Sequence, residues 1–74
     1  MTVDDVPEDM TVRVSDLKKV GYCARGARRW FEARGFDFRD FLANGIAART
    51  LVETGDALAL RVVRLKIERE QADG

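Results

Sequence analysis

The fold of this chain is decided by residues 22–41, YCARGARRWFEARGFDFRDF, which hold all six of its aromatic side chains. Aromatic side chains bury more area than other residues, so the core is expected to form around this stretch. Arginines are interspersed among the aromatics: Arg25, Arg28, Arg29, Arg34 and Arg39. Because a guanidinium group carries charge, stacks and forms paired hydrogen bonds, the same stretch is also the best candidate for a contact surface.

Two helices are predicted within this stretch. The first runs from residue 23 or 24 to Arg34 and ends at Gly35, with an apolar stripe made by Cys23, Ala27, Trp30 and Phe31. Cys23 is interpreted as a small buried residue on that stripe rather than as a reactive thiol.

The second predicted helix covers residues 38–44, FRDFLAN. Asp37 is the expected N-cap, and Gly45 is expected to accept the left-handed conformation at the helix end.

The flanking segments complete a single domain. We expect a short extended segment over residues 10–14, a helix over 15–20 with Ser15 as its N-cap, and a short helix over 47–53. Residues 1–9 are interpreted as an acidic flexible tail without core residues, and 71–74 as a flexible C-terminus. The predicted fold is therefore mostly α, a small bundle of four to five short helices spanning residues 10–70.

The segment 56–70 is ambiguous. Its composition favours a helix capped by Asp56 or Thr54, but residues 63–69 alternate as in a strand that would pair with residues 10–14. As a helix, it would have two apolar sides, Leu58/Val62/Leu65 and Leu60/Val63/Ile67. The second side, formed by Leu60, Val63 and Ile67, is predicted to contact a partner or a second copy of the chain.

Catalysis is not expected. The chain has no histidine and a single cysteine, which excludes a Cys/His zinc site within one chain and leaves Cys23 without a histidine partner. No phosphate-binding loop or dinucleotide motif is present. We therefore predict a protein that is not an enzyme and that uses no cofactor, metal or small-molecule substrate.

The distribution of charge suggests a basic surface. Residues 1–17 carry a balance of −4 and residues 18–39 a balance of +5, although the whole chain is neutral. Nucleic-acid binding through Arg25–Arg39 stays open but is not favoured, because the overall pI is about 6.2. The alanine that usually precedes the turn glycine of a helix-turn-helix by four residues is also missing.

Four short motifs carry a resemblance to a known group of proteins: Gly21-Tyr-Cys, Gly26-Ala-Arg-Arg-Trp-Phe, Asn44-Gly-Ile and Thr54-Gly-Asp-Ala-Leu-Ala. With these motifs, residues 12–63 resemble small uncharacterised proteins of tailed phages and prophages. The resemblance implies a protein that acts by binding and that is encoded among phage structural or accessory genes. It transfers no active-site residue.

The expected function is a non-catalytic protein–protein interaction module, a structural or assembly component of a virion head or tail. The alternative is a small regulatory or host-directed binding protein that contacts nucleic acid through the Arg25–Arg39 face. No apolar run approaches the length of a membrane helix, so we expect a location in the host cytoplasm or in the virion, with a protein partner or self-association and no membrane contact.

Overall fold

A computed structural model describes the backbone of residues 1–73 and the side chains of residues 1–71. Within that part there are five helices: α1 (Val14–Lys19), α2 (Ala24–Ala33), α3 (Phe38–Asn44), α4 (Ala48–Glu53) and α5 (Ala57–Asp73). A 3-10 turn (Val3–Asp5) and the short strands β1 (Thr11–Val12) and β2 (Ile46–Ala47) accompany them. The prediction of a mostly helical bundle with a short extended segment is confirmed. Of the predicted C-terminal tail, residues 71–73 continue α5, and Gly74 lies outside the described residues.

The predicted capping residues of α3 are confirmed. The side chain of Asp37 accepts a hydrogen bond from the backbone N–H of Asp40 at 3.1 Å. Gly45 ends the helix with φ +78°, a left-handed conformation that glycine adopts without the strain of a Cβ atom. The boundaries of α3 are therefore set by local sequence.

The prediction that Cys23 is buried is wrong. Cys23 is exposed, and it is the N-cap of α2, where its Sγ accepts from the N–H of Gly26 at 3.4 Å. Because a capping side chain folds back over the first turn of its own helix, it does not join the apolar stripe. Ala27 and Phe31 of that stripe are buried, and Trp30 is partly buried.

The predicted N-cap of the first helix is also wrong. The helix begins at Val14 with Arg13 as N-cap, and Ser15 is exposed. The carboxylate of Asp16, at the third helical position, accepts the N–H of Arg13 at 2.8 Å. A carboxylate at the third helical position accepts a hydrogen bond from a backbone N–H at the helix start that has no partner within the helix. The side chain of Ser15 was expected to do this as the N-cap.

The extended N-terminal segment pairs with β2. Strands β1 and β2 are antiparallel, with Thr11 opposite Ala47 and Val12 opposite Ile46. The last segment of the chain is the helix α5, so its alternative interpretation as a strand beside residues 10–14 is wrong.

The expectation that residues 1–9 contribute nothing to the core is wrong. Val6 is only 1% exposed and packs in the same buried cluster as Met10 and Leu51. Arg49 on α4 also donates from Nε to the carbonyl oxygen of Val6 at 2.9 Å. The acidic residues of this segment therefore surround an apolar anchor that is docked near α4.

Helix α5 is central to the bundle and packs against both α1 and α4. Val63 is completely buried, and Leu60 and Ile67 are partly buried against the core. Val63 therefore belongs to the core and is not part of a partner-binding face, which corrects that part of the prediction; for Leu60 and Ile67, which stay partly exposed, it remains a prediction.

A buried carboxylate joins the two ends of the chain. Asp16, 6% exposed, accepts from Lys66 Nζ and from Arg69, each at 2.9 Å, and Lys66 also donates to the carbonyl of Thr11. Burial alone would raise the pKa of Asp16, but the Arg13 N–H and the two cations outweigh it and lower that pKa. These contacts hold α1 against α5.

Candidate binding groove

An apolar groove of about 310 Å³ opens at the corner between α1 and α2 and is bounded on its other side by α5. Its floor consists of core residues that are fully or almost fully buried. Its walls are made by residues that are partly or largely exposed: Gly21, Tyr22, Cys23, Gly26, Trp30 and Leu58. We call this feature the α2–α5 groove. Its volume is at the lower end of the range typical of ligand pockets.

Gly26 lowers one wall of the groove. It is the third residue of α2, where alanine would stabilise the helix by about 1 kcal/mol relative to glycine. A Cβ atom at this position would approach only Cys23 Sγ, at 3.4 Å, among the described residues. Packing within the protein therefore does not require glycine here. What glycine does provide is room for an incoming backbone to approach α2 closely.

Leu58 forms the lip of the opposite wall. It lies in the first turn of α5 and is 53% exposed, whereas Ala59 and Val62 beside it are buried. An exposed leucine alone is ordinary, but this one continues the apolar surface of a concave groove. The exposed apolar surface thus extends from the floor to the rim.

Tyr22 contributes a polar atom to this apolar environment. Its hydroxyl is buried and has no hydrogen-bond partner among the described protein groups. A buried polar atom without a partner is uncommon and unfavourable. Tyr22 also lines the groove, which places this unpaired hydroxyl on a residue of the candidate site.

The Trp30 wall is held rigidly. Its Nε1 donates to Asp56 at 3.0 Å, and the guanidinium of Arg34 stacks 4.3 Å from the centroid of the indole. Arg34 also pairs with Asp56 at 2.7 Å. Burial opposes ionisation of Asp56, yet the hydrogen bonds from Ala59 and Trp30 and the charge of Arg34 lower its pKa. The indole is therefore fixed in place in the unbound protein.

The predicted arginine surface is only partly assembled. Arg25 and Arg29 are exposed on α2, whereas Arg28 pairs with Glu32 at 2.8 Å and Arg34 is engaged with Asp56. Arg39 lies on α3, where it lines a separate shallow depression together with Arg28. The five arginines therefore do not form one continuous face.

Sequence reasoning missed the groove itself. Tyr22 was not proposed as a contact residue, and Gly26 and Leu58 were not connected, although the spacing of Gly26 and Trp30, four positions apart on one helix, places them on the same side. The opposing wall comes from α5, which no local pattern connects to α2.

Within the described part of the chain, no three acidic or cysteine side chains are placed together to hold a metal ion. None of the helices seen there has the length and apolar character needed to cross a membrane. Comparison with known proteins found no match to a family model, a curated protein or a solved structure.

Proposed function

We propose that this protein is a non-catalytic protein-binding module and that the α2–α5 groove is its binding surface. The observation that carries the proposal is an apolar lining that continues from the buried floor of the groove to the exposed side chain of Leu58. On the opposite wall, Gly26 has no side chain to obstruct the groove. Concave apolar sites with a few polar groups are where proteins most often bind a partner or ligand. The groove suits a large apolar side chain presented by another protein.

The setting we propose is assembly of a phage or prophage virion, either its head or its tail. Support for this setting comes from the resemblance of residues 12–63 to small proteins of tailed phages and prophages. In this role the protein acts in the host cytoplasm or inside the particle. It binds through protein contacts and uses no cofactor.

The proposal is tested by co-expressing the tagged protein with each protein encoded by its neighbouring genes. We expect at least one of them to be retained by the wild type and lost with Gly26→Leu, which fills the groove without displacing the core. The matched control is Ala43→Leu, which introduces a leucine side chain at an exposed position of α3 outside the groove. Thermal melting of both variants checks that they remain folded.

Equal retention by wild type and Gly26→Leu would show that the partner binds elsewhere on the surface. Absence of any retained neighbour would remove the support for an assembly role.

A second candidate function is contact with nucleic acid by a small regulatory or host-directed protein. It is favoured by Arg25 and Arg29, which are exposed and have no carboxylate within ion-pair distance among the described side chains. An electrophoretic shift over a salt series tests it, because binding to phosphates weakens steeply as salt rises. A shift that persists in Gly26→Leu and is lost in the double variant Arg25→Ala, Arg29→Ala would support this function.

A further inference from the structure

The exposed charges around the α2–α5 groove are predominantly positive. Arg29 lies one helical turn beyond Gly26, and Arg61 lies one turn beyond Leu58, so a cation flanks each wall. Both are exposed, and neither has an ion-pair partner among the side chains that the structure describes.

The carboxylate that contacts the groove wall is already paired. Asp56, which accepts from Trp30, also pairs with Arg34. On α5, the first acid of the outer face is Glu68, seven residues beyond Arg61 and therefore about 10 Å along the helix. The rim of this groove is therefore positively charged, although the net charge of the whole chain is zero.

The acidic N-terminal segment does not neutralise that rim from within the same molecule. Val6 anchors the segment in the core, and the 3-10 turn packs against α4. Glu8 lies beside Arg49 of α4, at 3.9 Å. The rim cations therefore remain available to a second molecule.

From this arrangement we infer that the partner of the groove is an acidic protein segment, a helix that inserts one large apolar side chain between Trp30 and Leu58. Its carboxylates face Arg29 and Arg61. The inference rests on the proposed function and specifies the partner's chemistry. The low wall at Gly26 admits the backbone of the helix, as glycine does wherever two chain segments approach closely. The hydroxyl of Tyr22 gains an acceptor from the incoming segment.

The test uses three fluorescent synthetic peptides of about 18 residues, long enough to form a helix. One is an acidic amphipathic sequence of Leu, Trp, Ala and Glu. The second replaces every Glu with Lys, and the third keeps Glu but replaces Leu and Trp with Ala. Binding to the full chain is followed by fluorescence anisotropy from about 0.05 to about 0.5 M salt, a range that shortens the screening length several-fold.

We expect the acidic amphipathic peptide to bind about tenfold or more tightly than the other two, and to weaken as salt rises. The double variant Arg29→Glu, Arg61→Glu should lose this preference for the acidic peptide. Arg39→Glu is the matched control, because Arg39 is exposed on α3 and lines the separate depression rather than the groove. Gly26→Leu should abolish binding of the acidic peptide at every salt concentration.

Binding of the Lys peptide with equal affinity, blocked by Gly26→Leu, would overturn the inference and leave the groove as a protein-binding surface. Salt-sensitive binding of duplex DNA that displaces the acidic peptide would overturn it in favour of a nucleic-acid face. Self-association that is abolished by Gly26→Leu, with no peptide bound, would assign the groove to a second copy of the chain instead.

Discussion

The indole of Trp30 donates to Asp56 at 3.0 Å across 26 positions of sequence, and the same carboxylate oxygen accepts from the backbone N–H groups of Leu58 and Ala59. One side chain thus caps α5 and fixes a wall of the groove. The guanidinium group of Arg34 donates a hydrogen bond to the other carboxylate oxygen of Asp56.

Replacing Asp56 should therefore cost more than replacing an ordinary cap. Asp56→Ala is expected to lower the free energy of unfolding by about 2–4 kcal/mol, because the cap is lost and the indole N–H loses its acceptor. Asp37→Ala, which removes only the cap of α3, should cost about 1 kcal/mol. Urea unfolding measures both values. Equal losses would mean that the bond from Trp30 contributes nothing to stability.

Asp16 should govern stability in acid. Its pKa is lowered in the folded state, so the unfolded chain binds the proton first, and stability is lost as pH falls below about 4 through the folded value. Asp16→Asn should cost about 3 kcal/mol at neutral pH, because Lys66 and Arg69 lose their carboxylate. The unfolding free energy of the Asp16→Asn variant should fall less steeply with decreasing pH than that of the wild type.

Unfolding measured by denaturant at a series of pH values tests this, with the exposed Glu53→Gln as control. Parallel pH curves for Asp16→Asn and wild type would contradict the assignment.

Removal of residues 1–9 should destabilise the protein. The buried anchor Val6 accounts for most of the effect, and Val6→Ala alone is expected to cost about 2 kcal/mol. Val3→Ala, in the same segment but only partly buried, should cost less. Thermal melting of the two variants and of a chain beginning at Met10 provides the comparison. A truncated chain with the melting temperature of the wild type would show that Val6 does not stabilise the core.

Two glycines with similar positive φ angles should respond differently to alanine. Gly35→Ala, at φ +74° and facing open space, is expected to cost about 1–2 kcal/mol from backbone strain alone. Gly45→Ala, at φ +78°, should cost about 3 kcal/mol or more, since the new Cβ would lie 2.6 Å from Thr11 Cγ2 and 2.9 Å from the Val12 carbonyl. Similar losses in denaturant unfolding would contradict the close approach of β1 to Gly45.

The parts of the fold that were predictable depend on neighbours in sequence. Asp37 and Gly45 define α3 by hydrogen bonds and backbone conformation within a few residues, and both were identified correctly. The pairing of Thr11 with Ala47 was not predictable, because it depends on how the intervening helices fold back. Val6 was missed for the same reason, since an acidic segment with one proline gives no local sign of a core residue.

Less of the candidate site than of the fold could be predicted from the sequence. The arginines of α2 were identified, and Arg25 and Arg29 are indeed exposed. Val63 was assigned to a contact face because its helix has two apolar sides, but Val63 is buried in the core and the exposed apolar residue of the helix is Leu58 on the other side. The groove depends on the distance between α2 and α5, which follows from tertiary packing.

The contacts of Lys66 with Asp16 and with the Thr11 carbonyl have a consequence for how the protein is made. The buried carboxylate of Asp16 pairs with cations of the last helix, so it stays unpaired while the ribosome is still synthesising the middle of the chain. A prematurely terminated product ending before Lys66 would expose the core and be removed by proteases. Synthesis of the last helix is therefore the step that commits the chain to its native structure.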